Sequence, residues 1–231
     1  MKKLLIIIIF MFSINSFSQE IIEKNWILKV NTTQLIDIFS FPTVQLSAER
    51  KLNPYLSVNA EFGYQLYQLY DYKTEKDTIS LKPKGLKANL ELRFYFNKFL
   101  QKRKISKSNE LFCGLQLFYR QNQKSWTIEY RRIDNENVYY DDSFGVKKSV
   151  EGINLTFGDQ ISISKKIILE PYFLIGYMKK KIENLGLEYN EVKHIADRND
   201  GIPLFVGLDI ANKNGNGNIN FGFGLRLGYK F

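Results

Sequence analysis

Four glutamates and two arginines, Glu49, Glu61, Glu91, Glu170, Arg93 and Arg226, have the strongest claim to chemistry in this chain. Paired carboxylates can serve as general acid and base, and a nearby cation can tune either role. Each of the six, however, stands in a stretch where apolar and polar residues alternate, on the polar parity and beside available ion partners. A structural ion network is therefore the expected role. His194 lies next to Lys193 and close to Asp197, but no serine joins it in a recognisable motif. An incidental loop histidine is favoured over a general base. Asp141 and Asp142, with Asp134 and Glu136, offer oxygens to calcium, yet their spacing matches no EF-hand-type loop, and a solvated acidic loop is expected. Gly215 and Gly217 suggest a flexible turn and no phosphate loop, because no glycine-rich motif opens a helix. One cysteine, Cys113, and one histidine exclude an internal disulfide and a Cys- or His-rich zinc site. No catalytic residue, metal site or cofactor is expected.

The elements that must position these residues are strands. Ile219, Phe221, Phe223, Leu225, Leu227, Tyr229 and Phe231 occupy every odd position, with Asn220, Gly222, Gly224, Arg226, Gly228 and Lys230 between them. Successive side chains of a strand point to opposite faces, so one face is apolar and the other small or charged. The same alternation runs through Leu86 to Phe96, Leu56 to Leu66, Val44 to Ala48, Trp26 to Val30 and Leu111 to Tyr119. In the strand that begins at Trp26, Ile27, Lys29 and Asn31 stand opposite Trp26, Leu28 and Val30; Cys113 falls on the apolar parity. Two further strands are expected near 153–163 and 168–178, joined by the short turn Ser164, Lys165, Lys166.

Composition agrees. The 231 residues include 18 Phe, 14 Tyr and 2 Trp, and hydrophobic content of 44% is ample for a core, which excludes an intrinsically disordered chain. Past residue 20 no uncharged apolar run reaches the roughly 18–20 residues of a membrane helix. At the N-terminus, Met1, Lys2 and Lys3 precede a nine-residue apolar run, Leu4 to Phe12, and a small polar region. This order is that of a secretory signal peptide, residues 1–18, with cleavage expected between Ser18 and Gln19. Residues 19–231 then form one domain. The formal net charge of +9 would favour nucleic acid in a cytosolic protein; an exported chain meets lipopolysaccharide and phospholipid headgroups instead, and no nucleic-acid partner is expected. Much of the excess sits at Lys98, Lys102, Arg103, Lys104 and Lys107, read as a solvated basic turn.

Connections sort into two kinds. Asn53-Pro54 and Ser164 to Lys166 are tight, whereas 71–83, 133–145 and 183–201 are long and polar. Short turns at one end and long loops at the other are the layout of an outer-membrane barrel, although 37–42 is short and 97–109 long against that rule. Two barrels compete: a soluble lipocalin-like one with its apolar face inward, and a membrane barrel with that face toward lipid. Aromatic placement favours the second. With strand direction alternating, Trp26, Phe94, Phe96, Tyr229 and Phe231 fall at periplasmic ends, and Tyr64, Tyr119 and Tyr177 at outer ends. Ten residues at about 3.3 Å, tilted near 45°, separate the two belts by roughly 23 Å, close to the lipid-facing band.

With its signal sequence, repeated alternation and terminal Gly228-Tyr229-Lys230-Phe231, the chain resembles small Gram-negative outer-membrane β-barrels of the OmpA-like transmembrane type. The resemblance implies that the barrel-assembly machinery recognises the last strand, at Leu227, Tyr229 and Phe231. The expected fold is all-β, an antiparallel up-and-down barrel of eight strands, or ten if 202–210 crosses as well. So narrow a barrel fills its interior with side chains. Three functions remain: a structural or surface-interaction barrel in the outer membrane, which leads, a periplasmic barrel binding an apolar ligand, and an outer-membrane lipid hydrolase or acyltransferase. No motif names a partner for the outer loops.

Overall fold

The computed structural model describes residues 26–37, 40–66, 84–96, 109–186, 188, 193–196 and 215–231. The expected signal peptide with its Ser18–Gln19 junction, the basic stretch near residues 98–107 and the apolar segment 202–210 lie outside them.

Nine strands appear among these residues: β1 (Trp26–Asn31), β2 (Val44–Lys51), β3 (Leu56–Tyr64), β4 (Lys84–Tyr95), β5 (Asn109–Arg132), β6 (Asn135–Ser162), β7 (Ile167–Leu185), β8 (His194–Ala196) and β9 (Gly215–Lys230). Consecutive strands from β1 to β7 pair antiparallel, β7 pairs with β9, and β9 returns to β1. That ring of eight closes the sheet and leaves no edge along the wall. The ten-strand alternative fails because β7 and β9 are bonded directly, from Ile167↔Tyr229 to Met178↔Asn218. The short β8 stands outside the ring and pairs only with the end of β5, Tyr130 to Arg132.

Alternation decides the faces. In β1 exposed and buried residues alternate without a break. Leu28 is 49% exposed, Phe62 58%, Phe223 65% and Ile219 73%, whereas Glu49, Glu91, Arg93 and Glu170 are 0% exposed. Apolar side chains look out and charged ones look in.

The lower end carries the tight turns and both ends of the wall. In the β2–β3 turn the Asn53 side-chain oxygen accepts from the amides of Tyr55 and Leu56, both at 2.8 Å. In the β6–β7 turn the Ser164 hydroxyl accepts from the amide of Ile167 at 3.1 Å. Each side chain stands in for a backbone acceptor, which is why Asn and Ser suit these positions. The amide of Phe231 donates to the Trp26 carbonyl at 3.0 Å, so the last residue completes the first strand's ladder.

At the upper end two sequence expectations are corrected. Residues 133–145, expected as a long loop, are mostly strand: β5 and β6 continue as one hairpin from Asn109↔Ile161 to Arg132↔Asn135, turning at Ile133 and Asp134. β4 leaves β5 at Gln123, so the hairpin rises beyond the ring, supported by β7 as far as Leu185. Tyr130 and Tyr140, directly opposite one another, stack at 5.7 Å. Gly215 and Gly217, expected in a turn, begin β9 instead. The Tyr177 ring lies across Gly217, where an added Cβ would come within 1.7 Å of it, so the glycine is required for close approach.

Candidate functional site

The lumen is the site. Inward positions of β1 to β4, β7 and β9 bring Lys29, Glu49, Glu61, Glu91, Arg93, Glu170 and Arg226 into one buried network. Arg93 donates to Glu49 at 2.9 Å, to Glu170 at 3.0 Å and to Glu91 at 2.7 Å. Arg226 donates to Glu61 at 2.7 Å and to Glu170 at 2.8 Å. Lys29 pairs with both Glu49 and Glu170. The six charges expected to form an ion network are thus all in it, joined by Lys29.

Neutral donors add to the coordination of the carboxylates. Gln160 bridges Glu49 at 2.7 Å and Glu170 at 2.8 Å. Ser57 donates to Glu49 and Thr156 to Glu91, each at 2.5 Å. Tyr95 donates its phenol to Glu49, and Asn89 donates to Glu61 at 2.8 Å. Guanidinium faces meet rings: Arg93 lies 4.3 Å over Phe112 and Arg226 3.9 Å over Tyr172. A buried charge is tolerable when it is paired, and every charge of this network meets an opposite one, although Arg93 Nε and one terminal nitrogen of Arg226 lack a hydrogen-bond partner among the described residues.

Packing closes the space around it. Tyr95, Phe112, Tyr172 and Leu174 form the buried apolar cluster of the lumen. Glycines on neighbouring strands make room for the rings; a Cβ at Gly224 would sit 2.4 Å from Tyr172. Such large-against-small pairing fills a narrow barrel. Below the network, Lys51 pairs with Glu110 and lies 4.8 Å over the Tyr95 ring. Above it, Lys87 donates to Asp37, Gln34 and the Phe41 carbonyl, each at 2.7 Å.

Lys29, Tyr95, Gln160, Lys87 and Asp37 were not singled out from sequence. Lys29 had a usable signal, its place opposite Leu28 and Val30; Asp37 had none, because it follows a single turn of 3-10 helix, Thr33–Ile36, that lies outside the alternation.

The aromatic positions all stand on the outer surface. At the lower end Trp26, Tyr229 and Phe231 are exposed, and Phe94 meets Phe96 edge-on at 5.4 Å. Tyr229 meets Phe231 at 5.0 Å, while Leu227 lies exposed one outward step above them. Toward the upper end Tyr64, Tyr119 and Tyr177 are exposed, and the Tyr119 hydroxyl donates to Gln121 at 2.8 Å. His194 lies in β8, its side chain outside the described residues, as are those of Glu136, Asp141 and Asp142. Asp134 pairs with Arg132 at the exposed hairpin tip, at 2.7 Å.

No curated protein matches the chain. One family does match, over residues 4–211; its description, "Protein of unknown function (DUF3575)", assigns it no activity. An eight-stranded barrel around a buried ion network is what this chain contributes to that group: it belongs to the DUF3575 family.

Proposed function

We propose that the chain is an integral outer-membrane β-barrel, its polar lumen filled by side chains and its role structural or surface-interacting, without catalysis. The observation that carries this reading is the inversion of faces, apolar outside and ionic inside. On β7 the outward positions Ile167, Leu169, Pro171, Phe173, Ile175 and Tyr177 are uncharged, and Lys179 follows. Ten residues at about 3.3 Å, tilted about 40°, rise roughly 25 Å, the height of a lipid-facing band. On β6, outward Phe157, Leu155 and Ile153 give way likewise to Glu151, the partner of Lys179. Water-facing walls have no reason to place charges only beyond such a band.

A lipocalin-like barrel would need an apolar interior to hold its ligand, and the interior here holds four glutamates. In the proposed setting, Trp26, Phe94, Phe96, Tyr229 and Phe231 form one interfacial belt and Tyr64, Tyr119 and Tyr177 the other. The partners are outer-membrane lipids and lipopolysaccharide, reached after export through the cleaved signal peptide. During biogenesis the barrel-assembly machinery reads Leu227, Tyr229 and Phe231. Expression of the full chain in a Gram-negative host tests the reading. The protein is expected in carbonate-resistant outer membranes and in a gel band that shifts on boiling; a soluble periplasmic protein whose mobility never shifts contradicts it.

A further inference from the structure

Above the ion network the lumen turns basic. Cross-strand partners Lys87, Arg120, Val150 and Lys180 form one inward row from β4 to β7. The next inward row upward reads Gly85, Asn122, Lys148 and Ile182. Four cations thus line an arc of wall spanning roughly 14 Å, three strand spacings wide. Near this level the buried Gln45 of β2 and Gln65, just past the end of β3, are neutral.

Lys87 is committed to Asp37, Gln34 and the Phe41 carbonyl. Arg120 is different. It is half-buried, its guanidinium lies 4.8 Å over the Phe118 ring, and it makes no hydrogen bond or ion pair among the described residues. The carboxylates whose charge reaches it are Asp37 and Glu61. Both are engaged elsewhere, Asp37 with Lys87 and Glu61 with Arg226, each at 2.7 Å. A guanidinium carries five donors in a fixed fork, and at this half-buried position they are open to an acceptor entering the lumen. Here the guanidinium rests near a ring, and among the described residues its donors are not used.

We propose that the upper end of the lumen is an anion-binding vestibule, in which Arg120 grips a phosphate group through its fork and Lys87, Lys148 and Lys180 supply the attracting field. Phosphate fits because its paired oxygens match the guanidinium donors and its charge matches the arc. The ligand is inorganic phosphate or the terminal phosphate of a small phosphomonoester. The site lies inside the wall, so it stands whether or not the barrel's outer face meets lipid.

Titration calorimetry on the full chain in detergent, in low-salt chloride buffer, tests the proposal with inorganic phosphate and glycerol 3-phosphate as separate probes. Binding of both probes assigns the site to the free anion, and binding of glycerol 3-phosphate alone assigns it to an esterified one. In either case Arg120→Gln is expected to weaken binding at least about tenfold, as loss of a charged hydrogen-bonding partner does. Arg120→Lys, which keeps the charge and loses the fork, should fall between. Lys165→Gln, at the opposite end of the barrel, should bind as the unaltered chain does. A boiling-dependent gel shift shows that each variant is folded; should Arg120→Gln fail to fold, Arg120→Lys carries the comparison. Absence of binding by either probe overturns the proposal, as does unchanged affinity in a folded Arg120 variant.

Discussion

Ion pairs of similar length occupy two opposite environments in this molecule. In the lumen, Arg93 and Arg226 meet glutamates at 2.7–3.0 Å with side chains almost wholly withdrawn from water. On the hairpin above the ring, Arg132 meets Asp134 at 2.7 Å and Lys181 meets Glu183 at 2.5 Å, with side chains roughly half exposed. Distance therefore does not rank these pairs; surroundings do. In water an ion pair is screened and loses much of its attraction to side-chain entropy. In the lumen the desolvation has already been incurred on folding, so removing one partner strands the others. The lumen network specifies one arrangement of the wall, while the hairpin pairs decorate a surface.

Replacement of Arg93 should break this contrast most severely. Arg93→Met leaves Glu49, Glu91 and Glu170 each short of a cation, an expected loss of about 3–5 kcal/mol. Urea unfolding in vesicles, followed by tryptophan emission, measures it. Adding Glu91→Gln to that variant should recover part of the loss; no recovery would mean that Arg93 acts through packing rather than charge. The lumen should be similarly intolerant of shape. Gly224→Val drives its side chain into the Tyr172 ring, for a cost of about 1–3 kcal/mol by the same unfolding measurement. Tyr172→Ala introduced with it should relieve the clash.

On the hairpin the effects shrink. Tyr140→Ala removes the stack with Tyr130, worth about 0.5–1.5 kcal/mol, and should speed proteolysis of the tip while leaving the midpoint of barrel unfolding in place. The smallest change is expected at Lys181 and Glu183. The Lys181 ammonium holds the Glu183 carboxyl below its ordinary range. Whatever stability the pair gives is present above the ordinary glutamate value and fades as pH falls through the lower folded one. Because both groups face water, Glu183→Gln should leave the unfolding midpoint unchanged between pH 7 and pH 3. A measurable shift would mean that the hairpin pairs are sheltered after all.

The same contrast explains how much of the molecule was legible in its sequence. Where a strand separates an apolar surface from a polar one, period-two alternation names both faces, so Glu49, Glu61, Glu91, Arg93, Glu170 and Arg226 could be placed together before any coordinates. Lys29 had the same signal in a strand of only six residues, too short for its charge to stand out. Above the ring the reason for alternation disappears. Residues 133–145 include Val138, Tyr139 and Tyr140, side by side and all exposed, so a strand there looks like a polar loop. Register without a buried face is weakly written in sequence. The companions Gln160 and Asp37 depend on which strands become neighbours, and alternation along one strand carries no such information.

The central claim, that the outer face of the wall meets lipid while the inner face is packed, is tested most directly by spin labels placed one at a time from Ile219 to Tyr229 in vesicle-embedded protein, with Cys113→Ser as background. Accessibility to oxygen should peak at Phe221, Phe223, Leu225 and Leu227 and fall at Gly222, Gly224 and Arg226, with a water-soluble relaxant excluded from the odd positions. Odd positions open to the water-soluble relaxant, or a profile without period two, would contradict the account.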